Sequence, residues 1–490
     1  MKRLARSVID ILIGNISIKF LGFLFTPLLV RALTKSQYGQ FVGILVVLEL
    51  IQVLSNVGLF QSMKKHTAAT ADSERKSVFI AGLALAVAYS AVAVIVVYGL
   101  TTYSPFNLFT GTTIAYAAIA VIVFRNPLEV VRGYLYGLKQ ERAAEILRLF
   151  RKGIYTVLGL GAAYTGLGLV GIFTGYAVSF FFAAVVGLGL GYRAGWITTA
   201  ALPNRPQLDR VARYGAVSIL GYISAFLLYR VDILLIQYFI GDSATAGYQA
   251  ATFSSELIWI VPGAIQGALL QDVAAKWSND DIDSVSETLH TSIKYGVGAI
   301  ILFGGGLFAL TDDFLLVYFG SEYTESTFAL RILLIGTAVY GMNRLYIPVL
   351  QAVGKLRQQQ ATNVAALGLN VVANLILIPR FGVIGAVVGT TVSYVSIIIG
   401  SILILRQTPI EGPGTKLWIR LGALTVGFVT LYVVPVSVIP LSPVQSLLVF
   451  PPIGGLVFFV LAHSLGLLDG QSVLASFIDQ VSTQLNRMSR

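Results

Sequence analysis

Apolar runs of about 20 residues recur along this chain, the length that crosses a hydrocarbon core of about 30 Å as a helix. They fall at 8–30, 40–60, 78–100, 111–131, 153–167, 169–190, 215–240, 248–272, 294–311, 328–350, 360–379, 383–405, 418–438 and 445–466, which makes fourteen predicted spans. A backbone in lipid must satisfy its own hydrogen bonds, so only helices or a closed barrel are open to such a chain. Barrel strands would be alternating segments of about ten residues; these runs are longer and continuously apolar. The expected fold class is therefore all-α and polytopic. With 56% hydrophobic and only 12% charged residues, the composition excludes a soluble globular protein, where about 25% charged is usual.

The charge of +11 invites a nucleic-acid reading, but its distribution gives another. With the N-terminus inside, the inner segments hold Lys2, Arg3, Arg6; Lys64, Lys65, Arg75, Lys76; Arg132, Lys139, Arg142, Arg148, Arg151, Lys152; and Arg193, Arg205, Arg210, Arg213. By count about 26 of the 34 basic residues lie inside, about 3 outside and about 5 within spans. The expectation is a multi-pass protein of the cytoplasmic membrane with both termini cytoplasmic and no nucleic-acid partner. Asp10, Asn15 and Lys19 interrupt the first span, so it does not read as a cleavable signal.

Self-similarity organises the spans. Ile13, Gly14, Asn15, Ile16 and Ser17 match Leu220, Gly221, Tyr222, Ile223 and Ser224 at an offset of 207, and Glu49, Leu50, Ile51 match Glu256, Leu257, Ile258 at the same offset. Gly168, Gly171, Gly175 and Ser179 recur as Gly382, Gly385, Gly389 and Ser393, and Asn126 with Gly137 as Asn343 with Gly354. Two six-helix copies in the same orientation follow, a parallel repeat with two helices appended. The expected divisions are an N-lobe at 1–192, a cytoplasmic linker at 193–212, a C-lobe at 213–406, two further helices at 407–467, and an amphipathic cytoplasmic tail at 468–490.

Ionisable groups within spans cost at least ~2.5–3.5 kcal/mol each on insertion scales, so each requires a partner or a watery cavity. Lys19, Arg125, Arg230 and Arg344 place one deep cation on each of spans one, four, seven and ten. They read either as a cationic cavity or as structural ion pairs, such as Lys19 with Glu49 and Arg344 with Glu256. Asn15 shares the face of Lys19; Glu49 with Gln52, and Glu256 with Gln249, form polar stripes that are candidate proton or cation sites. Asn370 and Asn374, one turn apart, could join Asp232 and Thr390 in an all-oxygen site for a monovalent cation, or serve as helix-packing glue.

Other chemistry is missing. No phosphate-binding G-x-x-x-x-G-K-[ST] is present, the three histidines are scattered, there is no cysteine, and no long outer loop supplies a glycan-processing domain. No catalytic residue, metal ligand or cofactor is expected, apart from Na+ or H+ as a candidate coupling ion.

Pro27, Leu28, Leu29, Val30, Arg31, Ala32 and Leu33 with Tyr38 and Gly39 resemble the first-helix ending of polysaccharide transporters. These belong to the multidrug, oligosaccharidyl-lipid and polysaccharide exporter superfamily. Arg230, Asp232, Gly241, Gly247, Tyr248; Phe319, Gly320, Tyr323; and Gly354, Lys355, Asn370, Pro379, Gly382, Gly385 follow in the order that family has. The resemblance implies a flippase, carrying a polyprenyl phosphate- or diphosphate-linked oligosaccharide by alternating access. The deep cations would then hold its phosphate end. It also implies a sodium site of Asp232, Asn370, Asn374, Thr390 and the Ala386 carbonyl, with Asn374 where the lipid II flippase branch has an acid. Expected partners are the lipid-linked oligosaccharide, membrane lipids and glycan-assembly enzymes, with the protein a monomer. The rival readings are a cation-coupled drug exporter of the same superfamily and a membrane-embedded glycan-modifying enzyme.

Overall fold

A computed structural model describes the chain over residues 2–72, 74–103, 112–196 and 205–468. The predicted tail from 469 onward and the Asn15 side chain lie outside the described residues. The described residues form helices and connecting turns, with no strand among them. They divide into two compact units, Met1–Ala246 and Gly247–Arg490. Twelve helical stretches among the described residues are long and apolar enough to cross a membrane.

The first unit contains α1 (Lys2–Ala32), α2 (Lys35–Asn56), α3 (Leu59–Ala69), α4 (Arg75–Tyr103), α5 (Thr112–Gly137), α6 (Glu141–Tyr164), α7 (Gly168–Arg193) and α8 (Arg205–Phe239). Helix α2 starts at a reciprocal cap: the Thr34 hydroxyl accepts from the Gln37 N–H, and the Gln37 amide oxygen accepts from the Thr34 N–H. It ends where Val57 and Gly58 both turn left-handed, at φ of 44° and 68°. A Cβ on Gly58 would sit 2.6 Å from the Gly215 carbonyl oxygen of α8, so only glycine fits the break. Gly39 is constrained similarly, since a Cβ there would lie 1.8 Å from the Asp242 carbonyl oxygen. The core gathers Leu59 and Met63 of α3, Phe79 of α4, Val130, Val131 and Tyr134 of α5, and Leu147 of α6.

Helix α9 (Asp242–Glu256) runs across the boundary in the chain. The second unit then holds α10 (Ile260–Ser278), α11 (Ile282–Ala309), α12 (Thr311–Tyr318), α13 (Thr327–Ala352), α14 (Leu356–Phe381), α15 (Val383–Leu405), α16 (Thr415–Phe428), α17 (Val434–Val438) and α18 (Pro443–Ser464). A 3₁₀ turn at Leu257–Trp259 separates α9 from α10, and a π turn at Val429–Val433 joins α16 to α17. The packing pairs of the first unit recur here: α5 and α6 both pack on α7, and α13 and α14 both pack on α15. These pairs correspond under the sequence repeat.

Of the fourteen predicted spans, the fifth, on α6, is not among the twelve, and the first lies partly outside the described residues. Helix α6 begins twelve residues before the predicted span at 153, because its first half is crowded with Arg142, Glu145, Arg148, Arg151 and Lys152. A hydropathy window reads that crowding as loop, whereas the backbone stays helical through it.

Candidate functional site

A cavity of about 290 Å³ lies inside the first unit. Helix α2 contributes Glu49, Gln52 and Val53; α5 contributes Arg125, Leu128, Glu129 and Arg132; α6 contributes Arg148 and Arg151; α7 contributes Tyr176 and Phe180; and α8 contributes Phe226. On α5 the charged residues stand at i, i+4 and i+7, and on α6 Glu145, Arg148 and Arg151 stand at i, i+3 and i+6. Each set therefore occupies one helix face.

Ion pairs stabilise half of this charge. Arg132 Nη1 donates to both Glu129 oxygens, at 2.8 and 2.9 Å. Glu145, just behind the wall and almost fully buried, accepts from the Tyr136 hydroxyl at 2.7 Å, pairs with Arg148, and lies 4.0 Å from Arg132 Nη2. Arg151 lies over the Phe180 ring, 4.4 Å from its centroid, and 5.7 Å from that of Tyr176, a cation–π arrangement. Arg125 and Arg151 each keep a buried Nη1 with no hydrogen-bond partner, as does the Gln52 amide nitrogen. Four guanidinium groups against two lining carboxylates leave the cavity positive even with Glu145 behind it.

The structure thus brings Arg125, Glu49 and Gln52 together, as residues of one cavity. Lys19 is exposed, and neither it nor Arg230, half-buried on α8, lines this space. Arg132, Arg148 and Arg151, read from sequence as loop residues, are helical and line the cavity. The signal was present in the helical spacing of Glu145, Arg148 and Arg151 among Ile146, Leu147, Leu149 and Phe150.

Arg344 belongs to the second unit. It lies 4.8 Å above the Trp259 ring and 5.6 Å from Tyr340, and Nη1 donates to the Gln266 amide oxygen at 3.2 Å. Among the described residues no carboxylate lies within 4.0 Å of it, so the Arg344–Glu256 ion pair does not form; Glu256 ends α9 half-buried. Asn126 and its repeat counterpart Asn343 also differ. Asn126 accepts from Asn56 at 3.3 Å and donates to the Ser55 carbonyl and the Ser90 hydroxyl, at 3.3 and 3.0 Å. Both amide atoms of Asn343 are buried without a partner.

The remaining polar cluster of the second unit is neutral. Asn374 donates to the Asn370 oxygen at 3.0 Å, Asn370 donates to the Thr390 hydroxyl at 3.4 Å, and that hydroxyl lies 3.4 Å from the Tyr248 hydroxyl. Ala386 is fully buried one turn before Thr390, and Asn374 Oδ1 is a buried acceptor without a donor. Asp232 is in the first unit on α8, 2% exposed, where it accepts from the Ile233 N–H at 2.9 Å. Among the described residues no group of three or more histidines and acids is placed to hold a metal ion.

Solved structures share this architecture. The lipid II flippase MurJ, in an inward closed conformation, matches with a TM-score of 0.72 at 14% identity, covering 92% of this chain and 97% of that one. An inward-facing multidrug resistance MATE transporter matches with a TM-score of 0.65 at 16% identity, over 79% of this chain and 94% of the other. The fold is therefore the one that these two structures share. The family described as polysaccharide biosynthesis protein matches residues 4–270, more than half of the sequence, and the chain belongs to that family. A second description, MatE, matches residues 218–376. Among curated relatives, the probable low-salt glycan biosynthesis flippase Agl15 of Haloferax volcanii is 22% identical over 392 residues, 80% of this chain and 81% of its own.

Proposed function

We propose that the protein is a flippase that moves a lipid-linked oligosaccharide, on a polyprenyl phosphate or diphosphate, from the inner to the outer face of the cytoplasmic membrane. The observation that carries this reading is the guanidinium-rich cavity inside a unit of apolar, membrane-crossing helices. Such a charge arrangement in lipid needs an anionic occupant or water, and a lipid-linked sugar brings a phosphate next to a polar head. The family and the flippase name of the Haloferax volcanii relative support the same assignment.

In this reading α1 and α6 complete fourteen crossings, both termini face the cytoplasm, and the protein acts as a monomer supplied by glycan-assembly enzymes. The two units alternate access while the hydrocarbon tail stays in the bilayer. Lys19, Arg230 and Arg344 supply positive charge elsewhere for the phosphate. A monovalent coupling cation would be held by Asn374 Oδ1 with the oxygens of Asn370, Thr390 and Ala386 in the second unit; Glu49 and Glu256 are the carboxylates available to protons. A drug exporter for cationic cargo would instead require an excess of carboxylates in the cavity. Purified protein in vesicles should expose a fluorescent lipid-linked oligosaccharide to a membrane-impermeant quencher faster than empty vesicles do. Equal rates, with correctly folded protein present, would refute the assignment.

A further inference from the structure

We propose that the rim of the first unit where α3, α4 and α8 meet is a seat for anionic phospholipid headgroups, with Lys64, Lys65, Lys76 and Arg210 as its cations. This goes beyond the transport reading: it concerns the leaflet in which the protein sits, not the cargo.

Three helices bring these side chains to one place. The Ser62 hydroxyl of α3 donates to the Val211 carbonyl of α8 at 2.7 Å, and the Ser77 hydroxyl of α4 donates to the Gln207 amide oxygen of α8. Lys64 and Lys65 follow Ser62 within one turn, Lys76 adjoins Ser77, and Arg210 adjoins Val211. His66 packs edge-on against the Tyr214 ring, centroids 5.7 Å apart, and reaches the Arg210 backbone. Apolar stretches end at the same rim. Helix α3 closes the one at Lys35–Ala69, α4 opens the one at Arg75–Gly99, and Arg210 stands little more than a turn ahead of the predicted span at 215–240. These cations therefore lie where hydrocarbon gives way to headgroups.

The protein does not meet their charge. Arg75 pairs with Asp72 and Arg213 with Asp209, each within about one turn. Lys64, Lys65, Lys76 and Arg210 are exposed, and among the described residues none has a carboxylate within 4.0 Å. In the segments 59–77 and 205–214 the one further acid is Glu74. Lys65 Nζ lies 3.9 Å from the Tyr214 ring centroid, and Lys64 Nζ 5.3 Å from that of Tyr136. Such rings, apolar in body and polar at the tip, suit the boundary between hydrocarbon and water. Basic clusters beside membrane helices attract anionic lipids, which stand in that plane at high local concentration. A soluble anion or an acidic protein would have to be recruited from water. A headgroup held by Lys65 and Arg210 together bridges α3 to α8, and so stabilises the first unit against heat.

The test compares the full chain in nanodiscs of phosphatidylcholine alone and of phosphatidylcholine mixed with phosphatidylglycerol, by thermal melting and by native mass spectrometry of retained lipid. Wild type should melt higher in the mixture and retain phosphatidylglycerol, and both effects should shrink as salt is raised. Each cation removed should weaken retention about fivefold, so Lys64→Gln, Lys65→Gln and Arg210→Gln together should lower it about a hundredfold. Lys65→Arg, which keeps the charge, should behave as wild type. So should Arg357→Gln, which alters an exposed cation on α14 of the second unit. Melting in phosphatidylcholine reports whether each variant is folded. Equal melting and retention of wild type in the two discs would overturn the proposal. An undiminished response in the folded triple variant, or an equal loss in Arg357→Gln, would do the same. Glycerol 3-phosphate that reproduces the shift in phosphatidylcholine discs would reassign the patch to a soluble anion, and tighter binding of polyglutamate than of phosphatidylglycerol would reassign it to an acidic protein; either result overturns the lipid seat.

Discussion

Removal of the Glu145 carboxylate is the sharpest probe of how the cavity is held together. This side chain is 4% exposed and serves three partners: Arg148, Arg132 and the Tyr136 hydroxyl. Glu145→Ala leaves Arg148 without its carboxylate and Tyr136 without its acceptor. Breaking a buried pair from one side costs about 3–5 kcal/mol. Arg148 is 26% exposed, so water recovers part of that and the lower end, about 3 kcal/mol, is expected. For a unit of this size, roughly 2–4 °C per kcal/mol gives a fall in melting temperature of about 6–12 °C. Thermal unfolding in detergent, followed by tryptophan fluorescence, would measure it. Glu145→Gln keeps hydrogen-bonding atoms and should lose less. Arg148→Gln in the Glu145→Ala background should recover stability, because the stranded charge is gone. A Glu145→Ala protein that melts within about 1 °C of wild type would refute the account of this carboxylate as the clamp on the arginines.

The repeat supplies a paired experiment: Asn126→Leu removes bonds to Asn56, Ser55 and Ser90 and should cost about 2–3 kcal/mol, whereas Asn343→Leu removes two unpartnered amide atoms and should be neutral or stabilising. Equal losses in thermal melts of the two variants would contradict the difference between the copies. At the start of α11, hydrogen bonds from Ser284 hold the Asp281 carboxyl below its ordinary value of 3.8. A depressed carboxyl stabilises the fold above the unfolded value and loses that contribution as pH falls through the folded one. The melting-temperature gap between wild type and Asp281→Ala should therefore be present at pH 7 and close below pH 3.8; a gap that persists at lower pH would count against the cap.

Much of this protein could be read before any coordinates, for a simple reason. In lipid a backbone has to be helical or close a barrel, and continuous apolar runs of about 20 residues admit only the first. Helix class, membrane residence and the repeat follow from such local signals, as does the Tyr38–Gly39 motif, whose glycine proves to lie against the Asp242 carbonyl. Arg125, Glu49 and Gln52 were likewise recognisable as charges and amides out of place in a span.

Tertiary structure decided which of the charges belong together. Arg132, Arg148 and Arg151 look like loop residues to any hydropathy window, yet they stay helical because a carboxylate one turn away on the same helix, or for Arg151 an aromatic face on α7, receives each of them. Glu129, Glu145, Tyr176 and Phe180 do so, from three different helices. Conversely, Asn343 has the same sequence signature as Asn126 but lacks its partners, since the residues that would bond it are not within reach in the second unit. A sequence records which side chains a helix carries and on which face. Only the packing of several helices determines whether a buried charge is neutralised by the protein or left open to a ligand.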